Sequence, residues 1–304
     1  MPINNVSQTL PGSILEETVQ QVRDELGAGF DRILIERVVI GIFFIGVKLS
    51  DGSAGICATP IKEIPEAVCC PSSARAMPYP GMFRGRRAGD FLRDLPSQPP
   101  LKKAIGIAIL NAFSASIIRS RLTTEYIVEV GPDALDLIEF PEDAYVVVVG
   151  ALVPVLKRLV ARGKTFGILE LDRRTLKENE LQFWVPQENS SDAIVKADMI
   201  IITGTTLLNN TLEPLLGLAH PGARIIVVGP TAGMIPDAFF RRGVTMLGGD
   251  IVTNADLLLD TLAEGGSGYH FFGKSVEKIC ITRVGAREFI NEHLPASTGG
   301  RSCL

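Results

Sequence analysis

Between Tyr145 and Gly249 the chain carries five short apolar runs, YVVVVG, TFGILEL, DMIIITG, RIIVVGP and VTMLGG, separated by helical or polar segments such as PVLKRLVARG. Runs of four to eight apolar residues rich in Val and Ile suit strands buried on both faces, the condition of a parallel sheet. Strands alternating with helices imply a doubly wound, Rossmann-like parallel sheet, an α/β fold. In such sheets ligands bind outside the carboxyl ends of the strands. The places to search are therefore Gly150, Glu170 with Asp172, Thr203 to Thr206, Gly229 to Gly233, and Gly248 to Asp250.

The amino-terminal part has a different texture. In GSILEETVQQVRDEL, Ser13 stands three residues before Glu16 and Leu15, Val19, Val22 and Leu26 recur at helical spacing, which predicts a capped amphipathic helix. RILIERVVIGIFFIGVKLSDGSAGICATP follows, β-branched runs around Asp51-Gly52, a hairpin dipeptide, and predicts two or three antiparallel strands. From Pro60 to Pro100 prolines and arginines accumulate, and this stretch reads as an ordered, irregular excursion or a flexible flap. LKKAIGIAILNAFSASIIRS then predicts a helix apolar around most of its circumference, buried between layers, with Asn111 as a polar group in that surface. The expected organisation is a smaller α+β domain over 1–138, the doubly wound domain over 139–295, and a disordered tail over 296–304.

Charge and cysteine content narrow the partners. Thirty basic residues against 34 acidic ones give a net charge of -4, the wrong balance for gripping a phosphodiester backbone. The longest unbroken apolar run, Val38 to Val47, is about half the roughly 20 residues that span a bilayer. No nucleic-acid or membrane partner is expected, and a cytoplasmic location is. Five cysteines, an odd number, do not read as a secreted disulfide framework. A homo-oligomer stays open.

The strand ends suggest a small anionic ligand. IIITGTTLLNNTLEPLLGL runs from a strand into Gly204, Thr205 and Thr206, with Thr203 before and Asn209 after them; hydroxyls and free amides at a helix start suit an anion or a carboxylate, or else cap the helix. VVGPTAGMIPD offers Gly229, Pro230 and Thr231 as a pocket wall or a rigid turn, and EGGSGYHFFGKS offers Tyr269, His270 and Lys274 as a lid, an anion loop or a plain connection. The turn after the first run has Gly150 but no G-x-G-x-x-G pattern, so NAD is not expected, although Glu170 lies where a ribose-binding acid would stand.

Cys69 and Cys70 are adjacent in EAVCCPSS. Their spacing from Cys57 is not that of a zinc finger. Neighbouring Cα atoms sit about 3.8 Å apart, too close for an unstrained disulfide. A soft-metal site shared with residues from elsewhere, a reactive thiol, and simple burial remain as readings.

GIFFIGVKLSDGSAGICATP, LKKAIGIAILNAFS, IITGTTLLNNTLEPLL, VVGPTAGMIPDAFFRRGV and EGGSGYHFFGKS together resemble the heavy-metal chelation family, formerly one of unknown function. The resemblance implies an amino-terminal domain similar to that of enolase, a Rossmann-like second domain, and a site where the two meet. The Thr203 to Thr206 loop, the Gly229 to Thr231 turn, Asn111 and Thr59 would face that cleft. A transition or heavy metal ion is the implied cofactor; the resemblance carries over no ligand set, and Cys69 and Cys70, in the irregular segment able to fold over a cleft, are the soft ligands expected if the chain chelates a metal. The expected function is binding of a small ligand, metal or metal complex; the alternative is an enzyme using a nucleotide or S-adenosylmethionine-like cofactor at the same strand ends.

Overall fold

A computed structural model describes residues 12–63, 80–93, 95–121 and 123–285. Cys69, Cys70, His293 and Cys303 lie outside the described residues. The elements are, in order, α1 (Ile14–Leu26), β1 (Ile35–Ile40), β2 (Phe44–Leu49), β3 (Ala54–Ala58), α2 (Pro100–Ser120), β4 (Tyr126–Val130), α3 (Ala134–Leu137), β5 (Val146–Val149), α4 (Val153–Arg162) and β6 (Gly167–Leu169). There follow α5 (Ser190–Lys196), β7 (Met199–Thr203), α6 (Leu212–Leu218), β8 (Arg224–Val228), α7 (Asp237–Phe240), β9 (Val244–Val252), α8 (Ala255–Ala263), α9 (Gly268–Phe271) and β10 (Val276–Arg283).

The first helix begins where its cap requires. Ser13 Oγ accepts from Glu16 N at 3.2 Å and Glu16 returns a carboxylate oxygen to Ser13 N at 2.7 Å, which satisfies two otherwise orphaned donors. β1, β2 and β3 form a three-stranded antiparallel sheet in chain order. The β2–β3 turn needs a left-handed residue and has Gly52 there, at φ +84. α2 lies across this sheet so closely that a Cβ on Gly55 would stand 2.3 Å from Ala108 O and 2.4 Å from Ala112 N. By length and composition α2 could cross a membrane, but 89% of its most apolar window is buried in the fold. It is the core helix that its apolar circumference predicted.

The second sheet has seven strands in the order β4-β10-β9-β8-β7-β5-β6. β6, β5, β7, β8 and β9 are parallel. Numbered along the chain, these five run 2-1-3-4-5, a doubly wound order. Alternate side chains feed two cores. Val147, Ile200, Ile202 and Val227 join the cluster that holds α2 and the small sheet. Val146, Val148, Ile201 and Ile226 pack with Leu156 and Leu159 of α4 on the other face. Burial on both faces is why the strands read as continuous apolar runs.

β4 and β10 extend the sheet antiparallel beside β9 and were not read from the sequence. β10, VEKICITR, is interrupted by Glu277 and Lys278 and so lacks an apolar run. β4, which precedes residue 138, already belongs to the large sheet.

Candidate functional site

In the parallel part of the sheet the chain leaves β5 for β6 on one side and crosses to β7 on the other. That reversal opens a crevice at the carboxyl ends of β5 and β7, the position where doubly wound sheets bind ligands. A cavity of about 560 Å³ lies there. Its lining comes from Gly150 and Leu152 after β5, Glu170 and Leu171 after β6, Trp184, Gln187 and Glu188 from the β6–α5 connection, and Thr203, Thr205, Thr206 and Asn209 after β7.

Gly150 takes φ +95, and a Cβ there would meet Thr203 Cγ2 at 2.7 Å, so the two strand ends approach as only glycine allows. The Thr203 and Thr205 hydroxyls share a hydrogen bond of 3.1 Å, and Thr206 Oγ1 donates to Thr203 O at 2.7 Å. Asn209 Oδ1 accepts from the Thr211 hydroxyl at 2.7 Å. On the opposite wall Glu170 Oε1 accepts from Asp172 N at 2.9 Å, and the Glu170 carbonyl accepts from Trp184 Nε1 at 3.0 Å. Asp172 is itself held by Arg174 and by Lys62, which keep its carboxyl well below the usual carboxylate range. The Arg173 guanidinium lies over the Trp184 ring at 5.3 Å.

The charge of the cavity differs from the sequence expectation. Among the described residues its lining includes the carboxylates Glu170 and Glu188 and no lysine, arginine or histidine. The threonine loop is not a helix start either: Gly204–Leu207 is a single short turn, and α6 begins only at Leu212. The Thr206 hydroxyl is spent on the turn itself, and those of Thr203 and Thr205 share one bond.

Of the other expected residues, Gly204 is buried against Ala232, whose N would lie 3.0 Å from an added Cβ. Thr231, 1% exposed, accepts through Oγ1 from Ala58 N at 3.2 Å. Asn111 donates through Nδ2 to Ile56 O at 2.8 Å and Pro230 O at 3.0 Å. Both side chains stitch the small sheet to the β8 turn. Thr59 Oγ1 donates to Gly41 O, 18 residues away, and His270 Nδ1 accepts from Ser267 N within a local turn. Lys274 is exposed and lines neither strand-end cavity. Gly229 and Pro230 line a second, smaller cavity with Asp250. The sequence reading missed Trp184, Gln187 and Glu188, which lie in a connection without periodicity; the one signal was that Trp184 is the sole tryptophan.

Two family models match the chain, over residues 133–281 and 23–114, and both are described as "Putative heavy-metal chelation". The chain belongs to this heavy-metal chelation family. An uncharacterized protein of Methanocaldococcus jannaschii is 28% identical over 194 residues, 61% of this chain and 68% of that protein. Crystal structures of two family members of unknown function share the fold. The Pyrococcus horikoshii protein has a TM-score of 0.67 and 19% identity, and the Desulfitobacterium hafniense protein 0.60 and 17%; each match covers 88% of this chain and 99% of the other.

The family's description directs attention to metal donors. Among the described residues no three His, Cys, Asp or Glu side chains gather as a metal cluster. Cys57 and Cys280 are buried, and burial pushes their thiols up to about 12 and about 11, so neither is a thiolate at neutral pH. The switch-point cavity has carboxylate, hydroxyl and amide oxygens, which suit hard cations rather than soft ones. The described residues therefore do not fit a heavy metal held by protein ligands alone.

Proposed function

We propose that the chain is a small-ligand-binding protein whose switch-point cavity takes a neutral or cationic organic molecule bearing hydroxyl groups, and that metal reaches it as a complex of such a molecule. The observation that carries this reading is a cavity of about 560 Å³ lined, among the described residues, by two carboxylates and an indole but no basic side chain. The volume lies within the roughly 300–1,000 Å³ usual for small-molecule sites. Leu152, Leu169, Leu171 and Leu215 supply apolar wall, and Thr205, Asn209 and Glu170 the polar groups that orient a guest.

A second reading, an enzyme with a nucleoside cofactor, draws on Glu170. It stands at the end of the second parallel strand, where an acid meets vicinal ribose hydroxyls in doubly wound sheets. The lack of a basic side chain among the described lining residues favours a cofactor without phosphate, such as one of the S-adenosylmethionine type, over a phosphorylated one.

Native mass spectrometry of protein purified without oxygen or chelator tests the proposal. The expected result is one organic mass per chain, with metal only alongside it, lost when Glu170→Gln and Thr205→Val are combined. A stoichiometric metal without organic mass, retained in that variant and lost on Cys69→Ser plus Cys70→Ser, overturns it.

A further inference from the structure

The smaller strand-end cavity, over β8 and β9, has a volume of about 160 Å³. Apolar cavities of roughly 150 Å³ hold a guest the size of benzene. Leu135, Leu152, Val228 and Phe272 form apolar wall, while Asp133, Asp250 and Lys278 bring charge. Asp250 is 9% exposed, and its Oδ2 is buried with no hydrogen-bond partner among the described residues. Folded proteins pair nearly all such atoms, so an orphaned carboxylate oxygen against a cavity points to something that occupies it.

The nearest cation is already engaged. Lys278 faces Asp250 across the β9–β10 pair, but its ammonium makes an ion pair with Asp133 and lies over the Phe272 ring at 5.0 Å. Asp133 is fixed in turn as the cap of α3, accepting from Leu135 N at 3.0 Å. Among the described residues Asp133 and Lys278 are the charged groups that bear on Asp250; Val228 of β8 and Phe272, just after α9, line the same cavity without charge. With Asp250 ionised, two carboxylates share one ammonium, and the cavity lacks one positive charge.

We propose that this cavity is a second binding site, for a small amphipathic cation: a primary ammonium head that completes the Asp250 carboxylate, on a short aliphatic body that fills the apolar walls. The site is independent of the switch-point reading, since the orphaned oxygen and the charge count belong to β9, β10 and α3. Burial pushes the Asp250 carboxyl up to about 7, opposed by Lys278 and assisted by Asp133. A cation needs the ionised form, so its affinity is level above about pH 7 and falls tenfold for each pH unit below. A neutral hydrogen-bond acceptor would show the reverse.

Isothermal titration calorimetry with n-butylammonium as probe, and n-butanol as its neutral counterpart, tests the site in the full chain. The expected result is one saturable site per chain, at pH 8 at least tenfold tighter for the cation than for the alcohol, weakening as stated below pH 7. Asp250→Asn should abolish it, and Glu170→Gln should leave it unchanged, which separates its failure from that of the switch-point proposal. Equal affinity for butanol, a flat or inverted pH profile, or unchanged binding in Asp250→Asn would each overturn the proposal. Should Asp250→Asn not fold, the pH profile and the alcohol comparison in the native sequence decide alone.

Discussion

Asp250→Asn removes a specific pH dependence from the stability of the fold. The carboxyl titrates at an ordinary 3.8 in the unfolded chain and at about 7 in the folded one. Between these values the unfolded chain has released a proton that the folded chain keeps, so stability falls as pH rises. The contribution is fully present below about pH 4, declines through the interval and is lost once pH passes about 7. A difference of roughly three pH units, at about 1.36 kcal/mol each, amounts to about 4 kcal/mol. Asparagine is nearly isosteric and carries no charge at either end of the range, so it lacks this term. The assay is urea unfolding of both proteins from pH 4 to pH 8.5, since subtracting the variant cancels the titration of every other group. Relative to the variant, the native sequence should lose about 4 kcal/mol between the ends of that range, with an unchanged urea slope. A difference that stays flat, or one in which the native sequence gains stability as pH rises, would mean that the folded protein holds Asp250 ionised and paired, and the burial argument would be wrong.

Two further outcomes follow from the seam and the core. Asn111→Ala strands the Ile56 and Pro230 carbonyls in a site that is 3% exposed and should cost about 2–4 kcal/mol, read from the urea midpoint; a loss below about 1 kcal/mol would show that the seam does not depend on this side chain. Cys57 and Cys280 should resist iodoacetamide at pH 8 in the native protein and react after unfolding, as judged by peptide mass, and native-state labelling of either would contradict their burial.

Elements with a local physical cause were legible in the sequence. The Ser13–Glu16 box starts α1, Asp51-Gly52 turns the β2–β3 hairpin, and the two-sided burial of β5, β7 and β8 writes itself as unbroken apolar runs. β10 was not legible because its periodicity is split between cores: Ile279 and Ile281 face one and Cys280 the other, while the strand begins with charged residues at its exposed positions. β4 owes its place to pairing with β10, more than 140 residues away, and no local pattern encodes a partner at that distance.

The site divides along the same line. Gly150, Glu170, Thr203, Thr205, Thr206 and Asn209 were predicted from strand ends, and all six line one cavity, because the topology of a doubly wound sheet places those ends together. The sign of the ligand's charge was a different matter. Three threonines and a glycine in a row suggest free donors, yet Thr206 Oγ1 donates back to Thr203 O and the Thr203 and Thr205 hydroxyls share a bond, a pairing that depends on side-chain rotamers no motif specifies. The second carboxylate and the indole come from a connection between β6 and α5 that has no repeat to announce it. Asn111 and Thr231 misled in the opposite direction: a polar residue inside an apolar pattern marks either a ligand or a seam, and here the carbonyls of Ile56 and Pro230 take up the Asn111 amide donor and Thr231 accepts from the amide of Ala58, while Asn111 Oδ1 has no partner among the described residues. Asp250, at the end of a run already marked as a strand end, is the carboxylate among the described buried side chains without a partner, and it lines a cavity. A buried carboxylate without a partner is therefore the stronger pointer to a ligand in this fold than the glycine and threonine clusters that first drew attention.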